Sequence, residues 1–318
     1  MKRDVSYYRE GLASGSRDAL GRAITAVEND RPEAQFVFQA ISGRTGRAHV
    51  IGVTGPPGAG KSTLTSALIA AFREQGQRVA VLAVDPSSPF GGGAILGDRI
   101  RMGEHGLDSG VFVRSVASRG HLGGLSRATA RVIDVLDCAS FDTVIVETVG
   151  TGQAETEIMH LAQTVVVVMA PGLGDEIQAV KAGILEIADI FVVNKADSPL
   201  ADRTMRTLHE ALRPAGQSDW RQPILPTIAT DRTGVADLAD AIANHAASLD
   251  DDARLKSGSR RARRQLAVAA AELAAERVHE SDDPIIDELA EQILSGEVGL
   301  RDAAQEALRS AVGPVDEQ

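Results

Sequence analysis

The chain has 318 residues, 43% hydrophobic and 24% charged, which is room for about two domains and a composition that excludes wholesale disorder, a collagen-like fibre and a bare coiled coil. Lys plus Arg number 33 and Asp plus Glu 44, a net charge of −11, the wrong sign for a protein whose main task is gripping nucleic acid. The single Cys138 excludes an intrachain disulfide and any thiolate-rich metal centre supplied by one chain. It fits a reducing compartment, and the first residues, MKRDVSYYRE, form no apolar signal core, so a soluble cytoplasmic protein is expected.

Apolar residues recur with a helical period at Leu12, Leu20, Ala23, Ile24 and Val27; Pro32 then interrupts, and a second stripe follows at Val37 and Ile41. The pattern predicts an N-terminal helical segment over residues 1–47. From 48 to 249, apolar runs alternate with longer amphipathic stretches, the signature of βα units around a parallel sheet. Strands are predicted at 50–54, 78–85, 111–115, 143–148, 164–170, 190–194 and 224–228. They are rich in Val and Ile with little alternation, as strands covered on both faces require. Beyond Asp250-Asp251-Asp252 the sequence turns rich in Ala, Glu and Arg, with helical patterns near 261–279, 284–294 and 301–312. This extension, residues 250–318, has little core of its own and is expected to pack on the sheet domain or on a second subunit.

The strongest signal is Gly55-Pro56-Pro57-Gly58-Ala59-Gly60-Lys61-Ser62, which satisfies G-x-x-x-x-G-K-[ST] between a predicted strand and a predicted helix. Glycines let backbone N–H groups turn inward around phosphate oxygens, and the helix starting near Lys61 turns its positive end toward the same anion. Lys61 is expected to bridge the β- and γ-phosphates, Ser62 to offer a hydroxyl to Mg²⁺ and Thr63 to contact the α-phosphate. The expected fold class is therefore α/β, a P-loop NTPase with a central, mostly parallel sheet, an N-terminal helical segment and a C-terminal helical extension.

Strand 190–194 ends in Asn194-Lys195-Ala196-Asp197, an N-K-x-D motif on the edge where open α/β sheets bind ligands. The Asp197 carboxylate can accept two hydrogen bonds from guanine, at N1–H and the exocyclic amine, a donor pair that adenine lacks. A site built on such pairing rejects the analogue by about 10⁴-fold, which favours GTP over ATP. Lys195 would cover the face of the base and Asn194 brace the loop. Strand 143–148 leads to Glu147-Thr148-Val149-Gly150, where an acid can orient water on Mg²⁺ and the Gly150 N–H can meet the γ-phosphate. Glu147 stands where Asp is usual, and its longer side chain points to contact through water. Asp85 precedes Pro86-Ser87-Ser88, and Gly91-Gly92-Gly93 precedes Gly97-Asp98-Arg99, a loop suited to close on phosphate. Asp85 can hold Mg²⁺ or its water, or position the attacking water; Asp98 can do likewise. Their competing readings are a turn initiator and a helix N-cap.

Together, GPPGAGKST, VDPSS, GGAILGDRIRM, ETVGTGQAE, PGLGDEIQAVKAG and VVNKAD resemble the MeaB/ArgK-type GTPases associated with methylmalonyl-CoA mutase, formerly labelled LAO/AO transport ATPases. The likeness runs from about Gly11 through the helical tail. It implies a homodimeric chaperone of an adenosylcobalamin-dependent acyl-CoA mutase that gates cofactor delivery and protects the mutase, with slow GTP hydrolysis to GDP accelerated by that client. It further implies that the C-terminal extension dimerises and that a cobalamin adenosyltransferase is a second partner; the net charge and the strand-sized apolar runs lead to the expectation that neither nucleic acid nor membrane is bound. Asp85, Asp98 and Glu147 fall where the family arranges Mg²⁺ and its waters. Residues 172–183 fall on an additional switch, which makes Lys181 a candidate for client-stimulated hydrolysis. Thr151 departs from the small aliphatic residue of many relatives, and Gln153 is not placed to position water as in small GTPases.

Two other classes compete. Metal-delivery GTPases carry Cys and His ligands for their cargo, whereas the seven histidines here are scattered and Cys138 lies in a helical pattern. A transport-associated ATPase or kinase needs a phosphoacceptor pocket or membrane partner, for which the sequence carries no motif. The cluster Arg260-Arg261 and Arg263-Arg264 reads as a solvated helix face or a salt-bridged dimer contact rather than an RNA or lipid patch.

Overall fold

Uninterrupted Val and Ile runs demand a sheet covered on both sides, and such a sheet organises the protein. The computed structural model describes residues 3–85, 105–117, 127–148, 157–172, 184–212 and 220–249, and those within 263–312 other than 264, 265, 268, 269, 272 and 282. The chain divides into two compact units, residues 1–259 and 260–318.

In the first unit the described elements are α1 (Val5–Ala13), α2 (Arg17–Glu28), α3 (Ala34–Ile41), β1 (His49–Thr54), α4 (Lys61–Glu74), β2 (Val79–Asp85), β3 (Val111–Ala117), α5 (Arg127–Cys138) and β4 (Thr143–Thr148). They continue with β5 (Thr164–Met169), α6 (Ile184–Ile187), β6 (Ile190–Asn194), α7 (Ala201–Ala211), β7 (Ile224–Thr227) and α8 (Val235–Ser248). The seven strands lie in the order β3-β2-β4-β1-β5-β6-β7, and every pairing is parallel.

Successive strand residues point to opposite faces. On one face Val50, Leu82, Val144, Val146, Val165 and Val167 share a core with buried residues of α1, α2, α3, α5 and α7. On the other, Ile51, Val53, Val81, Ile145, Val166 and Val168 pack with α4 and α8. Two apolar faces per strand explain why the runs show no polar alternation.

The stripe from Leu12 to Val27 is divided between two helices. Leu12 closes α1, Gly15 takes the left-handed conformation at φ +71°, and the Ser16 hydroxyl caps α2 by accepting from the Ala19 N–H at 3.3 Å. Periodicity carried across Ser14-Gly15-Ser16, but the turn chemistry of those residues breaks the helix.

The second unit contains α9 (Pro284–Ser295) and α10 (Leu300–Val312). Asp283 caps α9, Pro284 fills its first turn and Gly296 ends it at φ +78°. Leu289, Ala303 and Ala307 are its buried apolar residues, while Leu266, Leu273, Leu294 and Leu300 are exposed. Among the described residues no helix is long and apolar enough to cross a membrane.

Candidate nucleotide site

The chain reverses its direction of travel across the sheet at β1: β2, β3 and β4 lie to one side and β5, β6 and β7 to the other. Open α/β sheets bind ligands beyond the carboxyl ends of their strands at such a switch point. Thr54 ends β1 there, between β4 and β5, and the chain enters the glycine-rich loop. Gly55 has φ +135°, and a Cβ on it would collide with the Val168 carbonyl oxygen. Gly60 has φ +92°, and a Cβ there would strike the Asn194 side-chain amide. No L side chain fits either place, so the two glycines allow the loop to lie against its neighbours.

α4 starts at Lys61 without a side-chain cap, which leaves its first-turn N–H groups for a ligand. The Lys61 ammonium donates to the Gly55 and Pro56 carbonyl oxygens at 2.7 and 2.9 Å and is buried. Its charge is thus held inside the loop. Ala59 is buried, Ser62 half-buried, and Pro57, Gly58 and Thr63 are exposed.

Glu147 is 3% exposed and pairs in register with Val53. Its Oε1 accepts a short hydrogen bond from the Ser62 hydroxyl. One step on, the Thr148 hydroxyl donates to Thr54 Oγ1 at 3.0 Å, tying β4 to β1 where the loop departs. A hydroxyl and a carboxylate in contact form the hard oxygen donor set that suits Mg²⁺. Asp85 is the last residue of β2, two positions beyond Ala83, which pairs with Glu147. Asp98, Gly150 and Lys181 lie outside the described residues, as do the loop segments 91–101, 150–155 and 173–183 and His121. His105, on the approach to β3, meets α4 through Ser66, its Nε2 being 3.1 Å from both the hydroxyl and the carbonyl oxygen.

The N-K-x-D residues reach the same loop from β6. Asn194 is 2% exposed; its amide donates to the Ala59 carbonyl at 2.9 Å, and its Oδ1 accepts from the Thr227 hydroxyl at 3.2 Å and the Ala229 N–H at 3.1 Å. Lys195 adopts φ +58°, and its ammonium donates to the Gly58 carbonyl at 2.9 Å. Asp197 is exposed two residues on. The structure therefore brings Lys61, Ser62, Glu147, Asn194 and Lys195 around one loop. Thr227 and Ala229, which hold Asn194, carry no signal in the sequence: their contacts span more than 30 residues and belong to no motif.

Cys138 is buried, and burial pushes its thiol up, away from the reactive thiolate. Among the described residues no group of three or more His, Cys, Asp or Glu side chains is placed to hold a metal ion.

A family model described as methylmalonyl Co-A mutase-associated GTPase MeaB matches residues 20–283. The chain belongs to the MeaB family. A protein of Pyrococcus horikoshii named as a GTPase is 45% identical, covering 96% of this chain and 97% of its own. The mouse mitochondrial methylmalonic aciduria type A homolog is 34% identical over 76% of this chain and 63% of the mouse protein. A crystal structure described as an LAO/AO transport system kinase superposes with a TM-score of 0.71 at 25% identity, covering 97% of this chain and 98% of that one. Membership makes this MeaB-family chain a P-loop GTPase and a binder of guanine nucleotides.

Proposed function

We propose that this GTPase is a chaperone for an adenosylcobalamin-dependent acyl-CoA mutase, methylmalonyl-CoA mutase or a relative such as 2-hydroxyisobutyryl-CoA mutase, and gates delivery of its cofactor. The family description and the name of the mouse relative support the mutase partner. The observation that carries the nucleotide reading is the junction of the two loops, in which Asn194 and Lys195 bond the Ala59 and Gly58 carbonyls. A base held by one loop and phosphates held by the other are thereby fixed at one spacing.

In this reading the loop N–H groups and the start of α4 cradle the phosphates, and Lys61 exchanges its two carbonyl acceptors for β- and γ-phosphate oxygens. Thr63 contacts the α-phosphate and the Gly150 N–H the γ-phosphate. Ser62 and Glu147, with Asp85 and Asp98, would hold Mg²⁺ or its waters; bound there, the ion neutralises charge on the phosphates. The contact between Ser62 and Glu147 supports this donor set. Asp197 accepts from guanine N1–H and the exocyclic amine, while the Lys195 stem covers the ring. Asp85 or Asp98 positions the attacking water, and Lys181 acts in client-stimulated turnover of GTP to GDP and phosphate. The exposed leucines of residues 260–318 support a second copy of the chain as a partner. A cobalamin adenosyltransferase is a further proposed partner and the cytoplasm the proposed compartment.

The experiment is GTP and ATP hydrolysis by the purified protein with and without a panel of cobalamin-dependent acyl-CoA mutases. Slow GTP-selective turnover, raised many-fold by one mutase, is expected. Turnover indifferent to every mutase would overturn the chaperone reading while leaving the GTPase intact.

A further inference from the structure

A second polar concavity lies in the N-terminal helices, apart from the glycine-rich loop. It is an open cleft of about 310 Å³ lined by Arg3, Arg17, Arg22 and Arg31 with Asp18 and Glu33. Four arginines and two acidic residues line it, a formal positive surplus on a chain whose net charge is −11. A local positive surplus against the overall sign attracts anions.

Two of the arginines are already fixed. Arg22 grips Asp18 through Nε, at 2.9 and 2.8 Å from the two carboxylate oxygens, and Asp18 also accepts from the Tyr7 hydroxyl at 3.0 Å. Arg17 donates to the Asp108 and Val111 carbonyl oxygens at 2.6 and 3.0 Å. Among the described residues, the guanidinium groups of Arg3 and Arg31 have no hydrogen-bond or ion-pair partner, and both are exposed. Tyr8, 1% exposed, also lines the cleft, and burial pushes its phenol up.

The floor of the cleft is also shaped for an occupant. Asp18, Gly21, Arg22, Thr25 and Ala26 form one face of α2, and Gly21 sits inside that helix, where glycine is a poor helix former. A Cβ on Gly21 would meet no atom within 4 Å, so packing does not require the glycine. Its absent side chain instead deepens the cleft beneath the arginines.

We propose that this cleft binds a phosphate dianion, with Arg3 and Arg31 as its donors. Guanidinium groups match phosphate oxygens two at a time, and Arg3 and Arg31 supply one positive charge for each negative charge of the dianion. The inference does not depend on the mutase reading.

The test is calorimetric titration of inorganic phosphate, coenzyme A and dephospho-coenzyme A into the full chain preloaded with GDP and Mg²⁺, which keeps the glycine-rich loop occupied. Arg3→Ala and Arg31→Ala should each weaken phosphate binding by about tenfold, and Arg31→Lys should restore part of the loss. Gly21→Gln fills the floor while leaving every charge in place; it should abolish binding and raise the melting temperature, which separates a blocked cleft from a misfolded chain. Coenzyme A binding more tightly than its dephospho form would support a monoester carried on a small molecule, and inorganic phosphate binding alone would support free phosphate. No binding to the GDP-loaded protein, or binding unchanged by all three cleft substitutions, Arg3→Ala, Arg31→Ala and Gly21→Gln, would overturn the proposal.

Discussion

The two edges of the sheet bury polar groups in opposite ways. At the carboxyl edge, Lys61, Asn194 and Lys195 spend their donors on loop carbonyls of Gly55, Pro56, Ala59 and Gly58, and Ser62 leans on Glu147. At the amino edge, the Thr164 hydroxyl lies 2.8 Å from both His49 Nε2 and His245 Nδ1, and Asp189 accepts from the Val165 N–H at 2.7 Å with its other oxygen 3.4 Å from His245 Nε2. Trp220 closes that network, edge-on to His245 at 4.7 Å, with its indole N–H on the Asp189 carbonyl. A carbonyl that accepts from a lysine can be exchanged for a phosphate oxygen at little cost. A side-chain chain sealed under an indole has no such exchange, so the carboxyl edge holds donors that a ligand can take over and the amino edge holds donors committed to the fold.

Substitutions should separate the two edges. Lys61→Ala removes the charge proposed to meet the phosphates and should lower GTP turnover by about 10³-fold with the melting temperature little changed; near wild-type hydrolysis would remove the P-loop mechanism. Glu147→Gln keeps the shape and loses the charge, so turnover should fall by about 10²-fold while GDP binding persists, as read by nucleotide affinity beside steady-state rate. Asn194→Ala takes partners from the Ala59 carbonyl, the Thr227 hydroxyl and the Ala229 N–H and should cost about 2 kcal/mol in denaturant unfolding. Thr164→Val removes the oxygen shared by two histidines at the other edge; about 1 kcal/mol of stability should go, with GTP turnover preserved.

The amino edge also carries a pH signature. Burial pushes His245 down and the neighbouring Asp189 up from their ordinary values. A histidine kept neutral by folding contributes stability at neutral pH that is lost as pH falls from the ordinary histidine range through the lowered folded value. Asp189 acts with the opposite sign, because folding favours its protonated form, so its term grows as pH falls between its raised folded value and the ordinary carboxylate range. His49 and Asp189 are the titratable groups facing this site, with Thr164 and Trp220 completing its wall. The melting temperature should drop between pH 7 and pH 6, and His245→Asn should flatten that slope.

Much of this was legible before any coordinate. A parallel strand buried on two faces has no choice but to read as a run of Val and Ile, and Val165 to Val168 do so. The glycine-rich loop is legible because backbone geometry restricts Gly55 and Gly60 to one residue type. What stayed hidden depends on distance along the chain. The hold of Thr227 and Ala229 on Asn194, the meeting of His49, Thr164 and His245, and the gathering of Arg3 with Arg31 join residues that no period or spacing relates. The break between α1 and α2 lay in plain view in Ser14-Gly15-Ser16, but a hydrophobic stripe continuing across it masked the turn.

If the glycine-rich loop and the β6 loop form one guanine-nucleotide site, the GDP and xanthosine diphosphate affinities of the wild type and of Asp197→Asn will differ. An Asn amide can no longer accept both guanine donors, but it can donate to the carbonyl that xanthine carries in place of the exocyclic amine. GDP affinity should fall about a hundredfold and xanthosine diphosphate affinity should rise. Unchanged affinity for GDP in the variant would contradict the account.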